Sequence, residues 1–174
     1  MTPLAEVLSG RDERAALQRE WLSQNENGKP KYFLCQIGLN IPGFPKRVPN
    51  DMKVIKKCRD LLTACSRMVP EEERFVENGA GVCWQGAFSA DKYDPALLKK
   101  TAVDAENTMT AGRIFDIDIL TATGNLSRRD MGLPERKCLL CGERAKSCAR
   151  LGTHSTHELR EIAVRLLTEA AIDR

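Results

Sequence analysis

Residues 112–120 read Gly-Arg-Ile-Phe-Asp-Ile-Asp-Ile-Leu, and the alternation of acidic with apolar residues fixes what this segment can become. Successive side chains of a strand point to opposite faces. Ile114, Asp116, Asp118 and Leu120 therefore share one face, and Phe115, Ile117 and Ile119 the other. The two carboxylates fall roughly 7 Å apart along such a strand, close enough to serve one hydrated ion or two neighbouring ions. Asp is depleted in strands, so two in one short strand between large apolar residues call for a reason. Magnesium is usually held by one or two carboxylates together with substrate phosphate oxygens, and the pair points to Mg2+-assisted phosphate chemistry. The alternative is the solvated face of an antiparallel sheet.

The remaining pattern is a mixture of helices and strands. Residues 3–8 and 11–24 are expected to be helical, with Pro3 in a first turn and Ser9 capping the second piece. Arg11, Arg14 and Gln18, at i, i+3 and i+7, make one polar face of that piece, as a solvated helix would also show. Residues 31–39 read as a strand, and Asn40-Ile41-Pro42-Gly43-Phe44-Pro45-Lys46-Arg47 as a turn-rich loop. A helix is expected over 51–69, with Met52, Ile55, Leu62 and Cys65 among its apolar positions. Residues 78–81 turn into a strand over 82–88, Asp94 caps a helix over 95–108, and the paired-acid strand covers 113–121. Ser155 and Glu158 form a capping-box pattern ahead of Leu159, Ile162, Ala163, Leu166 and Ala170 at helical spacing. The sum is a single α+β domain over 1–174, with a small mixed or antiparallel sheet of at least three strands packed by helices.

The apolar fraction of 42% and the charged fraction of 29% belong to a soluble globular protein. No run of about 18 apolar residues offers a membrane span. Met1-Thr2-Pro3-Leu4-Ala5-Glu6 lacks the charged-then-apolar plan of a secretion signal, so the expected compartment is the cytoplasm. A net charge of +3 is too mild to point to nucleic acid. Its distribution says more: residues 128–150 hold seven Lys/Arg (128, 129, 136, 137, 144, 146, 150) against three acids (130, 135, 143), a local balance of +4. Such a patch favours an anionic ligand or an acidic partner protein, although a solvated basic loop carries the same charge.

Seven cysteines, an odd number without a secretion signal, argue against a disulfide framework. Cys35, Cys58, Cys65 and Cys83 sit singly among apolar residues and read as small buried hydrophobes. Cys138-x2-Cys141-x6-Cys148-x5-His154 supplies three thiols and one imidazole, enough for a tetrahedral structural zinc site, with His157 as an alternative fourth ligand. Reduced thiols packed under a basic loop, or a Cys-x-x-Cys redox pair, are the competing readings.

At these residues a resemblance becomes specific. Gly112-Arg113-Ile114-Phe115-Asp116-Ile117-Asp118-Ile119, Ser127-Arg128-Arg129, Arg136-Lys137-Cys138-Leu139-Leu140-Cys141 and Cys148-Ala149-Arg150-x3-His154-Ser155 closely resemble the citrate lyase holo-[acyl-carrier protein] synthase family, also called apo-citrate lyase phosphoribosyl-dephospho-CoA transferases. The likeness continues in Arg11-Asp12-Glu13-Arg14-x3-Gln18 and Leu39-Asn40-Ile41-Pro42-Gly43-x2-Lys46, and so covers nearly the whole chain.

The resemblance implies a nucleotidyltransferase-like domain with a Cys-rich basic segment at 128–157. It implies transfer of 2′-(5″-triphosphoribosyl)-3′-dephospho-CoA to a serine of the acyl-carrier (gamma) subunit of citrate lyase, leaving a phosphodiester and releasing pyrophosphate. The partner supplies the nucleophile, which fits the lack of a recognisable triad here. On this reading Asp116 and Asp118 hold magnesium against the phosphates. Arg113 and Lys46 contact the triphosphate or leaving pyrophosphate, with Arg11, Arg14 and Gln18 in the same pocket. Arg128, Arg129 and Arg150 meet the dephospho-CoA diphosphate or an acidic carrier. The chain departs from the family at Met109-Thr110, where a His-Pro pair is expected shortly before Gly-Arg. If that His assists deprotonation of the acceptor serine, an Asp or water does so here. The other readings are a nucleotidyltransferase for another carrier, such as a malonate decarboxylase subunit, and a zinc-stabilised basic binding module.

Overall fold

The computed structural model describes residues 2–173. In chain order these form α1 (Pro3–Leu22), a minimal hairpin of β1 (Asn25–Glu26) and β2 (Lys29–Pro30), β3 (Tyr32–Leu39), α2 (Asp51–Ser66), β4 (Glu72–Asn78), β5 (Gly81–Ser89), α3 (Pro95–Thr108), β6 (Phe115–Thr121), β7 (Gly124–Asn125), α4 (Ala145–Leu151) and α5 (Thr156–Ile172). The main sheet has the order β4-β5-β3-β6-β7, and every pairing in it is antiparallel. The expected α+β domain is what the chain forms, with the antiparallel form of its sheet.

The two faces of that sheet have different work. Phe33, Cys35 and Ile37 of β3, Trp84 and Phe88 of β5, and Phe115, Ile117 and Ile119 of β6 are buried in one cluster with residues of α2, α3 and α5. Each large apolar side chain so buried contributes about 1.5–3 kcal/mol, so this face carries the fold. The opposite face buries a smaller set: Trp21, Tyr32, Leu34 and Ala87 cluster beneath α1, and Val76, Cys83 and Gln85 are buried on the same face. Toward the middle of β6 this face turns polar: Gln36 pairs across the ladder with Asp118, and Gly38 with Asp116.

Helix α1 runs unbroken from Pro3, capped by Thr2, whose hydroxyl accepts from the Ala5 amide at 3.3 Å. The expected break and cap at Ser9 do not occur. Gly10 is there for close approach instead: a Cβ on it would lie 2.5 Å from Asn78 Oδ1 and 2.7 Å from the Ala80 nitrogen. The Asn78 amide in turn donates to the Gly10 carbonyl at 3.0 Å, joining α1 to the β4–β5 turn.

Helix α2 ends at Ser66, short of 69, because Arg67 takes a left-handed conformation at φ 57°. Cys35, Cys58 and Cys83 are buried as expected, whereas Cys65 is exposed, on the outer side of the last turn of α2. The caps at Asp94 and Ser155 form as read, the second as a complete capping box with Glu158. Strand β6 starts at Phe115, two residues later than expected. Ile114 precedes it in a turn closed by its amide to Ala111 O at 2.9 Å, and it is buried in the main core instead of sharing the Asp face.

Strand β4 and helix α4 were not expected. Acidic residues hide β4, yet they serve as acceptors: Glu72 takes the Trp21 indole at 3.0 Å and the Tyr32 hydroxyl at 3.2 Å, and Glu73 the Trp84 indole at 2.7 Å. Among the described residues no helix is long and apolar enough to cross a membrane.

A candidate phosphate cleft and a thiol cluster

The polar part of the α1 face is a cleft of about 330 Å³. Its floor is Gln36 and Gly38 of β3 with Asp116 and Asp118 of β6, and its wall is Arg11, Arg14 and Gln18 of α1. Lys46 closes one end, on a loop pinned where Arg160 donates to the Pro42 carbonyl at 2.8 Å. Six residues singled out in the sequence thus converge here from three separate segments, and the i, i+3, i+7 face of α1 points into the cleft.

Arg14 is the unusual member. Its Nε and Nη2 are buried without a hydrogen-bond partner. Burial lowers its pKa, helped by repulsion from Arg11, while Asp116 and other acidic neighbours work the other way. A desolvated guanidinium with free donors is costly unless an anion meets it. Burial and the nearby Arg11 and Arg160 likewise lower the Lys46 ammonium, which donates to the Ile41 carbonyl at 2.5 Å. Gln18 is oriented by Gln36, whose amide oxygen accepts from it at 2.8 Å and from Gln85 at 2.9 Å.

Across from these cations the two carboxylates differ. Asp116 is exposed and accepts from Arg136 Nη1 at 3.2 Å. Asp118 is more enclosed: burial and then the charge of Asp116 raise its pKa, against a 2.8 Å hydrogen bond from Asn125 and the nearby Lys99 and Arg136. Two like charges held on one strand with one of them desolvated are what a divalent cation would relieve, so the pair fits magnesium on its own chemistry.

Arg113 lies elsewhere, in hollows beside Arg136 and the cysteines. Arg128 and Arg129 line a basic hollow of about 420 Å³ with Lys99, Arg136 and Lys146, and Asp118 borders both it and the cleft. Arg150 is exposed on α4. Part of the basic patch is neutralised internally: Glu106, 4% exposed, forms ion pairs with both Arg128 and Arg136 and accepts from the Ile117 amide at 3.3 Å. Burial opposes the Arg136 charge, but Glu106 and Asp116 outweigh it and raise its pKa. Glu106, Gln36, Asn125 and Arg136 as an Asp116 partner escaped the sequence reading. The one available signal was Glu106 itself, an acid on the helix face shared with the buried Leu98, Ala102 and Ala105. Met109 and Thr110 line a separate hollow with Lys57 and Ala170, away from the cleft.

The second constellation is Cys138, Cys141, Cys148 and His154, whose ligand atoms lie within 4.8 Å of one another, so that the cluster can hold a metal ion. His157 is instead beside Glu161 at 3.4 Å. Burial would raise the Cys138 thiol, but the amides of Cys141 and Leu140 and the thiols of Cys148 and Cys141 bring it down to about 6. The hydrogen bond with Cys141, then burial, push Cys148 up to about 11.

A model of the family described as apo-citrate lyase phosphoribosyl-dephospho-CoA transferase matches residues 2–170. The apo-citrate lyase phosphoribosyl-dephospho-CoA transferase of Escherichia coli O1:K1 is 32% identical over 158 residues, covering 90% of this chain and 83% of its own length. The Citrobacter koseri protein of the same name is 31% identical over 157 residues, with 90% and 83% covered. Protein CitXG of Haemophilus influenzae is 32% identical over 168 residues, which span 94% of this chain and 34% of that longer protein. The chain belongs to the apo-citrate lyase phosphoribosyl-dephospho-CoA transferase family.

Proposed function

We propose that this chain transfers 2′-(5″-triphosphoribosyl)-3′-dephospho-CoA to a serine of the acyl-carrier subunit of citrate lyase, and that the α1–β3–β6 cleft is where the triphosphate reacts. Family membership supports the reaction. The observation that supports this place for it is Arg14, a buried guanidinium with unpartnered nitrogens facing two carboxylates across one cleft.

The serine oxygen bonds to the phosphorus next to the ribose, the bond to the following phosphate breaks, and pyrophosphate departs. The hydroxyl proton passes to a carboxylate of the pair or to water. Arg14, Arg11 and Lys46 receive the phosphate oxygens, and their charge offsets what builds up on the departing diphosphate. Gln18, held by Gln36, orients the chain of phosphates. Asp116 and Asp118 would hold Mg2+, which supplies further neutralisation of the attacked and leaving phosphates when bound. Arg136 fixes Asp116 by donating to its carboxylate at 3.2 Å. The hollow of Arg128 and Arg129, next to Asp118, takes the diphosphate of the dephospho-CoA part. Arg113 and Arg150, outside the cleft and the Arg128–Arg129 hollow, meet the carrier protein.

Three thiolates and one imidazole are the donor set of a closed tetrahedral zinc site, and zinc is the ion proposed for the cluster. Intact-mass spectrometry of the citrate lyase carrier subunit, incubated with this protein, the precursor and magnesium, tests the reaction. The carrier should gain the precursor less pyrophosphate, and Asp116→Asn should abolish the gain without loss of fold. Transfer retained in that variant would remove Asp116 from the chemistry. No gain beside an active relative would point to another carrier.

A further inference from the structure

From Thr121 to His154 the only buried residues are Cys138 and Cys148. A segment this long with no apolar core of its own has little to set against the entropy lost on ordering it. It is nonetheless built. Lys137 and Arg144 form an antiparallel bridge, and the Ala145 amide donates to the Arg136 carbonyl at 2.9 Å. Gly142, at φ 74°, turns the loop between Cys141 and Glu143. Helix α4 then returns Cys148 to within 3.4 Å of Cys141, sulfur to sulfur. Gly152 ends that helix in the left-handed region at φ 60° and brings His154 back to the thiols.

His154 supplies an independent sign of a missing partner: its Nε2 is buried and makes no hydrogen bond. Metal–sulfur bonds of about 2.3 Å and metal–nitrogen bonds of about 2.0 Å put tetrahedral ligand atoms roughly 3.5–3.8 Å apart. The four ligand atoms, all within 4.8 Å of one another, need only a small contraction to reach that. Arg136 enters this turn through its backbone and leaves it through its side chain, which spans Glu106 and Asp116.

We infer that Cys138, Cys141, Cys148 and His154 bind one zinc ion whose work is to fold residues 121–154 and so seat Arg136 between Glu106 and Asp116. The inference rests on the zinc reading of the cluster and is independent of the transfer reaction, because its test reads metal content and amide exchange. The full-length protein, purified under reducing conditions without chelator, should carry about one zinc per chain by elemental analysis. Cys148→Ser should lose it, and Cys65→Ser, at the exposed cysteine of α2, should keep it.

Stripping the metal from the wild-type protein should accelerate hydrogen exchange across 121–154 and at the Ile117 amide, which is bonded to Glu106, while β3 and β5 stay protected. Adding zinc back should reverse this, a comparison that holds even if Cys148→Ser does not fold. The inference is overturned if the protein neither carries zinc nor takes it from a chromogenic chelator. It is equally overturned if zinc removal leaves exchange in 121–154 unchanged, or if a disulfide occupies the cluster in the reduced preparation.

Discussion

Gly38 stands directly across the β3–β6 ladder from Asp116, and a Cβ placed on it would meet Asp116 O at 3.8 Å and Arg14 Nη1 at 3.9 Å. Those are ordinary contacts, so the backbone does not demand glycine there. What the missing side chain provides is room between the acidic and basic walls of the cleft. Gly38→Val should therefore fold with undiminished stability, helped by the higher strand propensity of valine, a scale spanning about 1 kcal/mol. Its isopropyl group occupies the space a phosphate would take. Urea denaturation should show an unchanged or raised midpoint, while steady-state transfer shows KM for the precursor raised at least ~10-fold, equivalent to about 1.4 kcal/mol of binding.

Arg14 makes the converse case. Its Nε and Nη2 are buried and unpartnered, a cost to the folded protein that a bound anion would offset. Arg14→Met keeps the length and removes the charge. The variant should melt at the same temperature as the wild type or higher in phosphate-free buffer. Pyrophosphate should raise the wild-type Tm as a ligand that binds only the native state does, and should leave the variant's Tm unmoved. Thermal scans with and without pyrophosphate decide it. Equal shifts in both proteins would place the anion elsewhere.

Asp118 gives a pH signature. Burial and Asp116 raise its folded pKa above the ordinary carboxylate value. The folded state then binds the proton more tightly than the unfolded chain, so ionised Asp118 subtracts from stability. The penalty is fully present above the raised pKa and disappears as pH falls through it toward the unfolded value. Asp118→Asn should be more stable than the wild type at pH 7 in chelator, with the difference shrinking on acidification. Asn can still accept from Asn125, so no bond is lost to confuse the comparison. Transfer activity should fall with the charge.

How far the chain could be read in advance depended on where the physics was local. The period-2 run of β6 and the capping box of α5 are local signals, and both elements formed. The Asp116–Asp118 face followed from alternation alone, as did the burial of Phe115, Ile117 and Ile119. Ser9 misled as a cap because nothing local shows that the helix runs on through Gly10, which lies against the distant β4–β5 turn. The acids of β4 masked a strand whose glutamates accept from tryptophans that lie 51 and 11 residues away in the sequence. Arg128 and Arg136 read as free charge because Glu106, their neutralising partner, lies 22 and 30 residues upstream. Long-range polar pairing leaves no periodic trace, and it is what this site is made of.

Glu106 is therefore the sharpest test of that pairing. Its side chain is 3% exposed and is the common partner of two guanidiniums that are 15% and 31% exposed. Removing one partner of a buried ion pair costs about 3–5 kcal/mol, since the remaining charge stays uncompensated. Because Arg136 keeps partial access to water and a second carboxylate in Asp116, Glu106→Gln should fall at the lower end, about 3 kcal/mol by urea denaturation. Arg136→Met should cost much less, because Arg128 still neutralises Glu106. The order of the two losses carries the argument: a carboxylate serving two cations is missed more than either cation. Equal losses would mean that Arg128 contributes nothing to holding Glu106, and that Arg136 alone joins α3 to the Asp116 wall of the cleft.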